Sequence, residues 1–181
     1  MKYIVLDTNI LVSGLINTKG KPALIIDEML DHSYILCYDR RIKAEYDEVL
    51  YRENFPFEES DAADLIDFIE ENGPFITGVT SSNNISNNIH FTDESDRAFY
   101  DIAKLCGATL ITGNKRHYPD EPFIMTPAEF LDMLDTRESE VQEASFAYNN
   151  YATIPEFQEL IRLIEAKDIE IAELKEKLNN K

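Results

Sequence analysis

Short apolar runs alternate along the chain with segments in which apolar residues recur every three or four positions. The runs at 3–6, 34–38, 109–112 and 123–125 are continuously apolar or β-branched, which is typical of strands covered on both faces of a sheet. The segments between them have helical periodicity. This alternation predicts an α/β fold in which a parallel sheet carries helices on its faces.

The helical segments can be bounded from their apolar spacing and their capping residues. Predicted helices cover 22–30, 40–51, 60–70, 93–106 and a last core helix that opens at Thr126-Pro127. Thr92 or Asp93 is the expected cap of the helix at 93–106. The tract Ser-Ser-Asn-Asn-Ile-Ser-Asn-Asn at 81–88 predicts a mobile surface loop, because polar residues of these types favour turns.

The length of 181 residues, with 44% hydrophobic content, suits one well-packed domain with an appendage. We expect a domain over 1–136, a linker over 137–154 and a C-terminal helix over 155–181. In that helix apolar residues keep heptad spacing, interrupted by Lys167. They are Phe157, Leu160, Ile164, Ile171, Leu174 and Leu178. This seam could pack on the chain's own core, self-associate as a coiled coil or hold a partner peptide.

Composition narrows the classes of function. The 35 acidic against 17 basic residues give a formal net charge of -18, so any contact with nucleic acid must be local. Cys37 and Cys106 lack paired ligand spacing, and we expect two buried free thiols and neither a zinc site nor a disulfide. No apolar stretch approaches the ~20 residues that span a bilayer, and no leader pattern is present, so we expect a cytoplasmic protein with no membrane partner.

Carboxylates occupy positions where a fold does not ordinarily place them. Asp7 ends the first predicted strand, and open α/β sheets bind their ligands at the carboxyl ends of strands. Asp96 lies three positions before Phe99, on the apolar stripe of its helix, and Glu45 lies three positions after Ile42 on another. Buried carboxylates are normally paired, hydrogen-bonded or bound to a cation, so these placements need a shared explanation.

Asp7 and Asn114 lie at the ends of predicted strands, and Glu45 and Asp96 lie in predicted helices that are adjacent to strands in the sequence. Asn114 follows the strand at 109–112 after one glycine, and in a parallel sheet the four side chains converge at one edge. Clustered oxygen ligands without His or Cys suit Mg²⁺ or Mn²⁺. In a nuclease such an ion activates a water and neutralises charge on the scissile phosphate. The sequence therefore predicts a metal-dependent nuclease.

Five segments occur in the order expected of the PIN domain family. They are LDTNILVS at 6–13, the helix with Glu45 and Val49-Leu50, DESDRAFYDIA at 93–103, LITGN at 110–114 and TPAEFL at 126–131. Each motif is weak alone, and five in register are specific. The chain closely resembles the branch of that family described as toxins of toxin–antitoxin pairs, over about residues 1–135.

The resemblance implies a three-layer α/β/α sandwich with a mostly parallel central sheet. It also implies a Mg²⁺- or Mn²⁺-dependent endoribonuclease that cleaves single-stranded RNA. Asp7, Glu45 and Asp96 match the metal-binding acids of the family, with Asp93 as an accessory carboxylate. Asn114 stands where the family often has a fourth acid. Because the amide removes one negative charge, it favours a one-metal mechanism or low activity, with Asn114 orienting water or ligand.

Further residues beside the predicted site are candidates for substrate binding, where local phosphate contacts would be needed. The candidates are Asn9, Arg41, Thr112, Lys115, Arg116 and His117. Solvated surface charge is an equally good interpretation of any single basic residue among them. His32 and His90 have no partner spacing, and we interpret them as structural. Besides RNA, an antitoxin protein and a second copy of the chain are candidate partners.

Simpler interpretations remain open for each acid. Asp7, Asp93 and Asp96 could serve as helix caps or first-turn acids, and Glu45 could lie on the surface. The rival function is a catalytically weak binding or regulatory module on the same scaffold that acts through a protein partner. A phosphatase of the haloacid dehalogenase type fits poorly, because Asn9 stands where that chemistry needs a second acid.

Overall fold

The computed structural model describes residues 2–53, 55–77, 85, 86, 88–151 and 167. Its strands are β1 (Tyr3–Leu6), β2 (Ile35–Leu36), β3 (Tyr38–Asp39), β4 (Phe75–Ile76), β5 (Thr109–Ile111) and β6 (Ile124–Met125). Its helices are α1 (Thr8–Ile16), α2 (Lys21–Leu30), α3 (Arg40–Leu50), α4 (Glu59–Asn72), α5 (Asp96–Cys106) and α6 (Pro127–Tyr151). A 3₁₀ turn covers Lys115–His117.

The central sheet has the order β2-β1-β5-β6, and its neighbouring strands are parallel. Ile4 and Val5 in β1 and Leu110 in β5 are completely buried, as expected of strands that helices cover on both faces. In β1, Leu6 pairs with Ile111, so Asp7 and Thr112 follow the two strands side by side. The predicted α/β class and parallel sheet are confirmed, and β1 and β5 bring the candidate residues to one edge.

The strand predicted at 34–38 is divided between two sheets. β2 pairs with β1, whereas β3 pairs with β4 in a second, two-stranded parallel sheet. Cys37 lies between them, and its backbone N–H still donates to the carbonyl of Ile4 at 2.8 Å. The prediction of one strand was wrong because the run is apolar throughout, and burial alone does not specify which strand each residue pairs with.

Helix α5 begins at Asp96, three residues later than predicted, and neither Thr92 nor Asp93 is its cap. The Asp93 carboxylate instead accepts hydrogen bonds from the backbone N–H and hydroxyl of Ser95, at 3.0 and 2.9 Å. This local turn competes with the first helical turn, as Asp side chains commonly do. The helix ends where predicted, followed by Gly107 at φ 60°, a left-handed conformation that glycine adopts without strain.

The chain divides into two compact units, Met1–Met133 and Leu134–Lys181. In the second unit, residues from 137 to Tyr151 continue helix α6, where an irregular linker was predicted. Lys167 is helical, and the rest of the predicted helix at 155–181 lies outside the described residues. The domain boundaries drawn from the sequence stay predictions.

Part of the polar tract at 81–88 is buried, although a surface loop was predicted there. The side chain of Ser86 is 2% exposed, and its backbone N–H donates to the Asp101 carboxylate at 3.0 Å. Arg97 donates to the carbonyl of the same serine. Residues 81–84 and 87 lie outside the described residues. Asp101 and Arg97 of α5 thus hold the end of this tract against the helix. The polar composition of the tract does not predict these contacts.

The two cysteines and the character of the helices bear on two expectations drawn from composition. Cys37 is a buried free thiol, as predicted, whereas the free thiol of Cys106 is only partly buried. Burial raises the pKa of both thiols above the usual range. In the part of the chain that the structure describes, no helix combines the length and apolar character needed to cross a membrane.

Candidate functional site

A cleft of about 360 Å³ brings the predicted acids together. Its polar lining includes Asp7, Glu45, Asp93, Asp96, Asn114 and His117. Val12, Val49 and Phe55 form its apolar lining. The residues predicted to act together thus converge from the end of β1, from α3, from the start of α5 and from the loop after β5, as expected at the carboxyl edge of a parallel sheet.

Asp7 is held in place by the end of β5, by the loop that follows it and by the start of α1. Its backbone N–H donates to the carbonyl of Ile111 at 3.0 Å, which continues the pairing of β1 with β5. One carboxylate oxygen accepts from the N–H of Asn9 at 3.2 Å and so caps α1. The other accepts from the Thr112 hydroxyl at 2.7 Å and from the Tyr118 hydroxyl at 3.3 Å. Asp7 is therefore both a helix cap and a fixed, 6% exposed wall of the cleft.

Glu45 lies on the face of α3 that its spacing predicted, between the buried side chains of Ile42 and Tyr46 along the helix. Its Oε1 accepts a hydrogen bond of 2.7 Å from the Thr8 hydroxyl. Burial raises the pKa of the Glu45 carboxyl, and the charges of Asp7 and Asp96 raise it further, against the lowering effect of the Thr8 hydrogen bond. Its burial and the neighbouring negative charges therefore disfavour the charged form of the Glu45 carboxyl.

Asp96 is the most strongly perturbed of the cleft carboxyls. Burial, followed by the charges of Asp7 and Asp93, raises its pKa from 3.8 to about 6. Its Oδ1 accepts from the Tyr118 hydroxyl at 3.4 Å. Its Oδ2 is buried and accepts no hydrogen bond from the described residues, although His117 Nδ1 lies 3.3 Å away. A buried carboxylate oxygen that accepts no hydrogen bond is a candidate ligand for a cation.

Tyr118 and Thr8 complete the site and were missed as functional residues. The buried Tyr118 hydroxyl lies within hydrogen-bond reach of both Asp7 and Asp96. Burial and the two carboxylates raise the pKa of Tyr118 above its usual range, so the phenol stays protonated and donates. Its position in the loop after β5 was the available signal, because strand-end loops gather at this edge. Nothing in the sequence marks its hydroxyl.

The loop after β5 is tied to the start of α1. The Asn9 side-chain oxygen accepts from the N–H of Gly113 at 2.9 Å, and a Cβ at Gly113 would lie 3.0 Å from that oxygen. The N–H of Asn114 donates to the Thr112 hydroxyl at 2.9 Å, which leaves the exposed Asn114 side chain lining the cleft. Asn9 also lines the cleft, whereas Thr112 is completely buried and supports Asp7.

Most of the predicted phosphate-binding cations do not line the cleft. Arg41 forms ion pairs with the buried carboxylates of Asp39 and Asp101, at 2.8 and 3.3 Å. Lys115 forms an ion pair with Glu129 at 3.1 Å. Arg116 is exposed and lies outside the lining, so His117 is the basic candidate that the structure brings to the acids. Of the two histidines interpreted as structural, His32 packs against the ring of Phe68, and His90 is exposed.

The donor set of the cleft fits a divalent cation of the oxygen-loving kind. Asp7, Glu45 and Asp96 offer carboxylate oxygens, their charges repel one another, and one buried oxygen lacks a hydrogen bond. Within the described residues, however, no three His, Cys, Asp or Glu side chains stand close enough to form a ready-made metal-binding group. The three carboxylates would have to move closer together to bind a single ion.

One protein family and several solved structures are similar to this chain. The family model described as PIN domain matches residues 3–116, and no curated protein matches the chain. Among solved structures, VapBC2 from Rickettsia felis bound to a DNA fragment from their promoter is similar at a TM-score of 0.45 and 16% identity, covering 68% of this chain and 96% of that chain. VapBC-1 from nontypeable Haemophilus influenzae is similar at 0.43 and 17%, covering 64% and 89%.

Proposed function

This chain belongs to the PIN domain family, whose members are generally nucleases, and we propose on that premise that it is a Mg²⁺- or Mn²⁺-dependent endoribonuclease. Its substrate is single-stranded RNA, and its reaction is hydrolysis of a phosphodiester bond. The observation that carries the proposal is the convergence of Asp7, Glu45 and Asp96 on one cleft, with Asp96 at a pKa of about 6. Perturbed carboxyls gathered in a cleft are typical of catalytic and metal sites.

Asp7, Glu45 and Asp96 would hold the ion, with Asp93 as an accessory carboxylate at the rim. When bound, the ion supplies positive charge to the scissile phosphate and lowers the pKa of the attacking water. The chain contributes the orientation of the ligands. Thr112 and Tyr118 hold the Asp7 carboxylate, and Thr8 holds that of Glu45. Such supporting hydrogen bonds fix the direction in which ligand oxygens point.

Asn114 and His117 are proposed to act on the substrate. The Asn114 amide lines the cleft and would orient the attacking water or a phosphate oxygen by hydrogen bonding. His117 lies beside Asp96, where its other ring nitrogen can donate to a phosphate oxygen. Asn9 is a further candidate contact from the same wall. Because the amide of Asn114 brings no negative charge, it weakens binding of a second metal ion more than binding of the first. We therefore propose a mechanism with one metal ion.

A cleavage assay tests the proposal directly. The full chain is incubated with end-labelled single-stranded RNA of several sequences in Mn²⁺, in Mg²⁺ and in EDTA. We expect cleavage with an ion and none in EDTA, and a loss of at least about 100-fold in Asp7→Asn, Glu45→Gln and Asp96→Asn. Asp67→Asn, an exposed acid of α4, is the matched control and should keep full activity. RNA that stays intact with both ions would refute catalysis.

The resemblance of five motifs to toxins leads us to propose a biological role. The nuclease would be the toxin of a toxin–antitoxin pair, active in the cytoplasm and neutralised by an antitoxin protein. The heptad seam at 155–181 is a candidate for holding that antitoxin or a second copy of the chain. Induced expression should arrest growth in the wild type and not in Asp7→Asn. Equal arrest by both would separate the biological effect from nuclease chemistry.

A catalytically weak binding or regulatory module is the second candidate function. It is favoured by the amide at Asn114, which removes one negative charge from the cleft, and by the formal net charge of -18, which disfavours RNA binding. Calorimetry with Mn²⁺ distinguishes the two functions. A nuclease should bind the ion through Asp7, Glu45 and Asp96. A module of the second kind should bind it feebly, and its effect should survive Asp7→Asn.

A further inference from the structure

An aromatic groove lies beside the acidic cleft and shares a side chain with it. The groove has a volume of about 360 Å³, and its lining includes Tyr51, Arg52, Phe55 and Phe57. Phe55 also lines the acidic cleft. We call the surface formed by these four residues the aromatic groove. The carboxylates of Glu53 and Glu59 also line the groove. Because Phe55 lines both surfaces, a polymer seated in the cleft can continue into the groove.

The two phenylalanines form a preorganised stack. The ring centroids of Phe55 and Phe57 lie 5.0 Å apart, and the ring planes are inclined by 14°. Pro56 between them restricts the backbone. Tyr51 is 42% exposed at the end of α3, and Arg52 forms an ion pair of 2.7 Å with Glu48. The connection between α3 and α4 therefore places three aromatic side chains along the groove, and the stack leaves one face of Phe55 and one of Phe57 uncovered by the other ring.

We propose that the aromatic groove binds a nucleobase of the single-stranded RNA substrate, adjacent to the phosphate held in the acidic cleft. This inference rests on the proposed function and adds a base-binding subsite to it. Bases of single-stranded RNA are splayed out and stacked on aromatic side chains and on arginine planes. Phe55 joins the two surfaces, so the stacked base belongs to a nucleotide next to the scissile bond.

The negative charge of the protein, to which Glu53 and Glu59 in the groove contribute, favours stacking over phosphate attraction as the source of RNA affinity. A formal net charge of -18 disfavours binding through general phosphate attraction. Two of the predicted phosphate-binding cations, Arg41 and Lys115, are engaged in ion pairs with carboxylates. Stacking does not depend on net charge, and every base has a face that can stack. RNA affinity should therefore depend on bases and vary weakly with salt concentration.

The chain has no tryptophan, so Phe57→Trp creates a unique fluorescent reporter inside the groove. We expect a six-nucleotide single-stranded RNA, added to the full-length variant in EDTA, to quench the tryptophan. An abasic ribose-phosphate oligomer of equal length should leave the emission unchanged. Equal responses to both, or no response to RNA, would overturn the proposal. Emission that changes with protein concentration alone would assign the groove to a second copy of the chain and would also overturn it.

Kinetics provide the second measurement. Phe57→Ala should raise KM for RNA at least about fivefold with little change in kcat, because base stacking contributes to binding. Phe75→Leu, a half-exposed aromatic on β4 that lines neither surface, is the matched control and should keep its KM. For the wild type, one abasic nucleotide next to the cleavage site should raise KM similarly. An unchanged KM in both tests would overturn the proposal.

The two proposals fail in different ways. If the wild type cleaves RNA, and neither Phe57→Ala nor an abasic nucleotide in the substrate changes KM, the groove proposal is wrong and the nuclease proposal stands. If the Phe57→Trp reporter discriminates bases from abasic oligomer while no ion supports cleavage, the groove proposal stands and the nuclease proposal is wrong.

Discussion

Asp96→Asn is expected to stabilise the metal-free protein even though it should abolish metal binding. Burial, followed by the charges of Asp7 and Asp93, raises the pKa of Asp96 from 3.8 to about 6. A difference of this size corresponds to about 3 kcal/mol in favour of the uncharged form. The side chain keeps 13% exposure, and solvent screening reduces the effect, so we expect a gain of about 1 to 3 kcal/mol at neutral pH.

The pH dependence of this gain has a definite sign. The folded pKa of Asp96 lies above the unfolded value, so the folded chain binds more protons than the unfolded chain between about pH 4 and 6. The wild type therefore loses stability as the pH rises through this window, and the amide variant does not. The difference between the two proteins should vanish below about pH 4 and be fully present above about pH 7.

Urea unfolding in EDTA, at pH 5 and 7.5, measures the effect. Asp67→Asn is the matched control, because Asp67 is exposed on α4 and lies outside the cleft lining, so this variant should gain nothing. Adding Mn²⁺ should stabilise the wild type and leave Asp96→Asn unchanged, since a ligand stabilises the state that binds it. A metal-free Asp96→Asn less stable than the wild type at pH 7.5 would refute the reasoning.

Three further substitutions test the contacts around the site. Tyr118→Phe removes a hydroxyl whose single proton lies within hydrogen-bond reach of two carboxylates, and should lower the metal-free unfolding free energy by about 1 kcal/mol; equal urea midpoints would contradict this. Asp101→Asn weakens a completely buried partner of Arg41 and should cost roughly 3 kcal/mol, whereas an unchanged melting temperature would show that the ion pair is dispensable. Gly14→Ala should lower the melting temperature by several degrees, because its Cβ would collide with the δ-methyl of Ile26 and lie 3.3 Å from the Ala23 nitrogen; a variant as stable as the wild type would mean that the Ile26 side chain moves aside without cost.

The placement of the acids could be predicted because it depends on local spacing. Glu45 and Asp96 share helical stripes with apolar residues, and a period of 3.6 assigns faces without knowledge of the partner. Asp7 ends a continuously apolar strand, and the parallel topology brings such ends together. These two rules were enough to predict one cleft for side chains separated by as many as 89 positions in the sequence, from Asp7 to Asp96.

Other features depend on partners that local spacing does not specify. Ser86 is buried because Asp101 and Arg97 reach it from α5. Arg41, predicted to bind phosphate, is turned to the same Asp101. A charged side chain pairs with whichever opposite charge the fold places within about 4 Å, so its role in a site cannot be inferred from its sequence neighbours.

The sequence by itself determined the α/β class, the strands β1 and β5, the helical faces and the acids of the cleft, because all of these follow from periodicity and from where apolar runs end. The tertiary structure decided how the strands divide between two sheets at Cys37 and which cations remain near the cleft. It also placed the Tyr118 hydroxyl between the carboxylates of Asp7 and Asp96, and Phe55 in the linings of both the acidic cleft and the aromatic groove. These outcomes are contacts between distant residues, and their free energies arise only when the chain is packed.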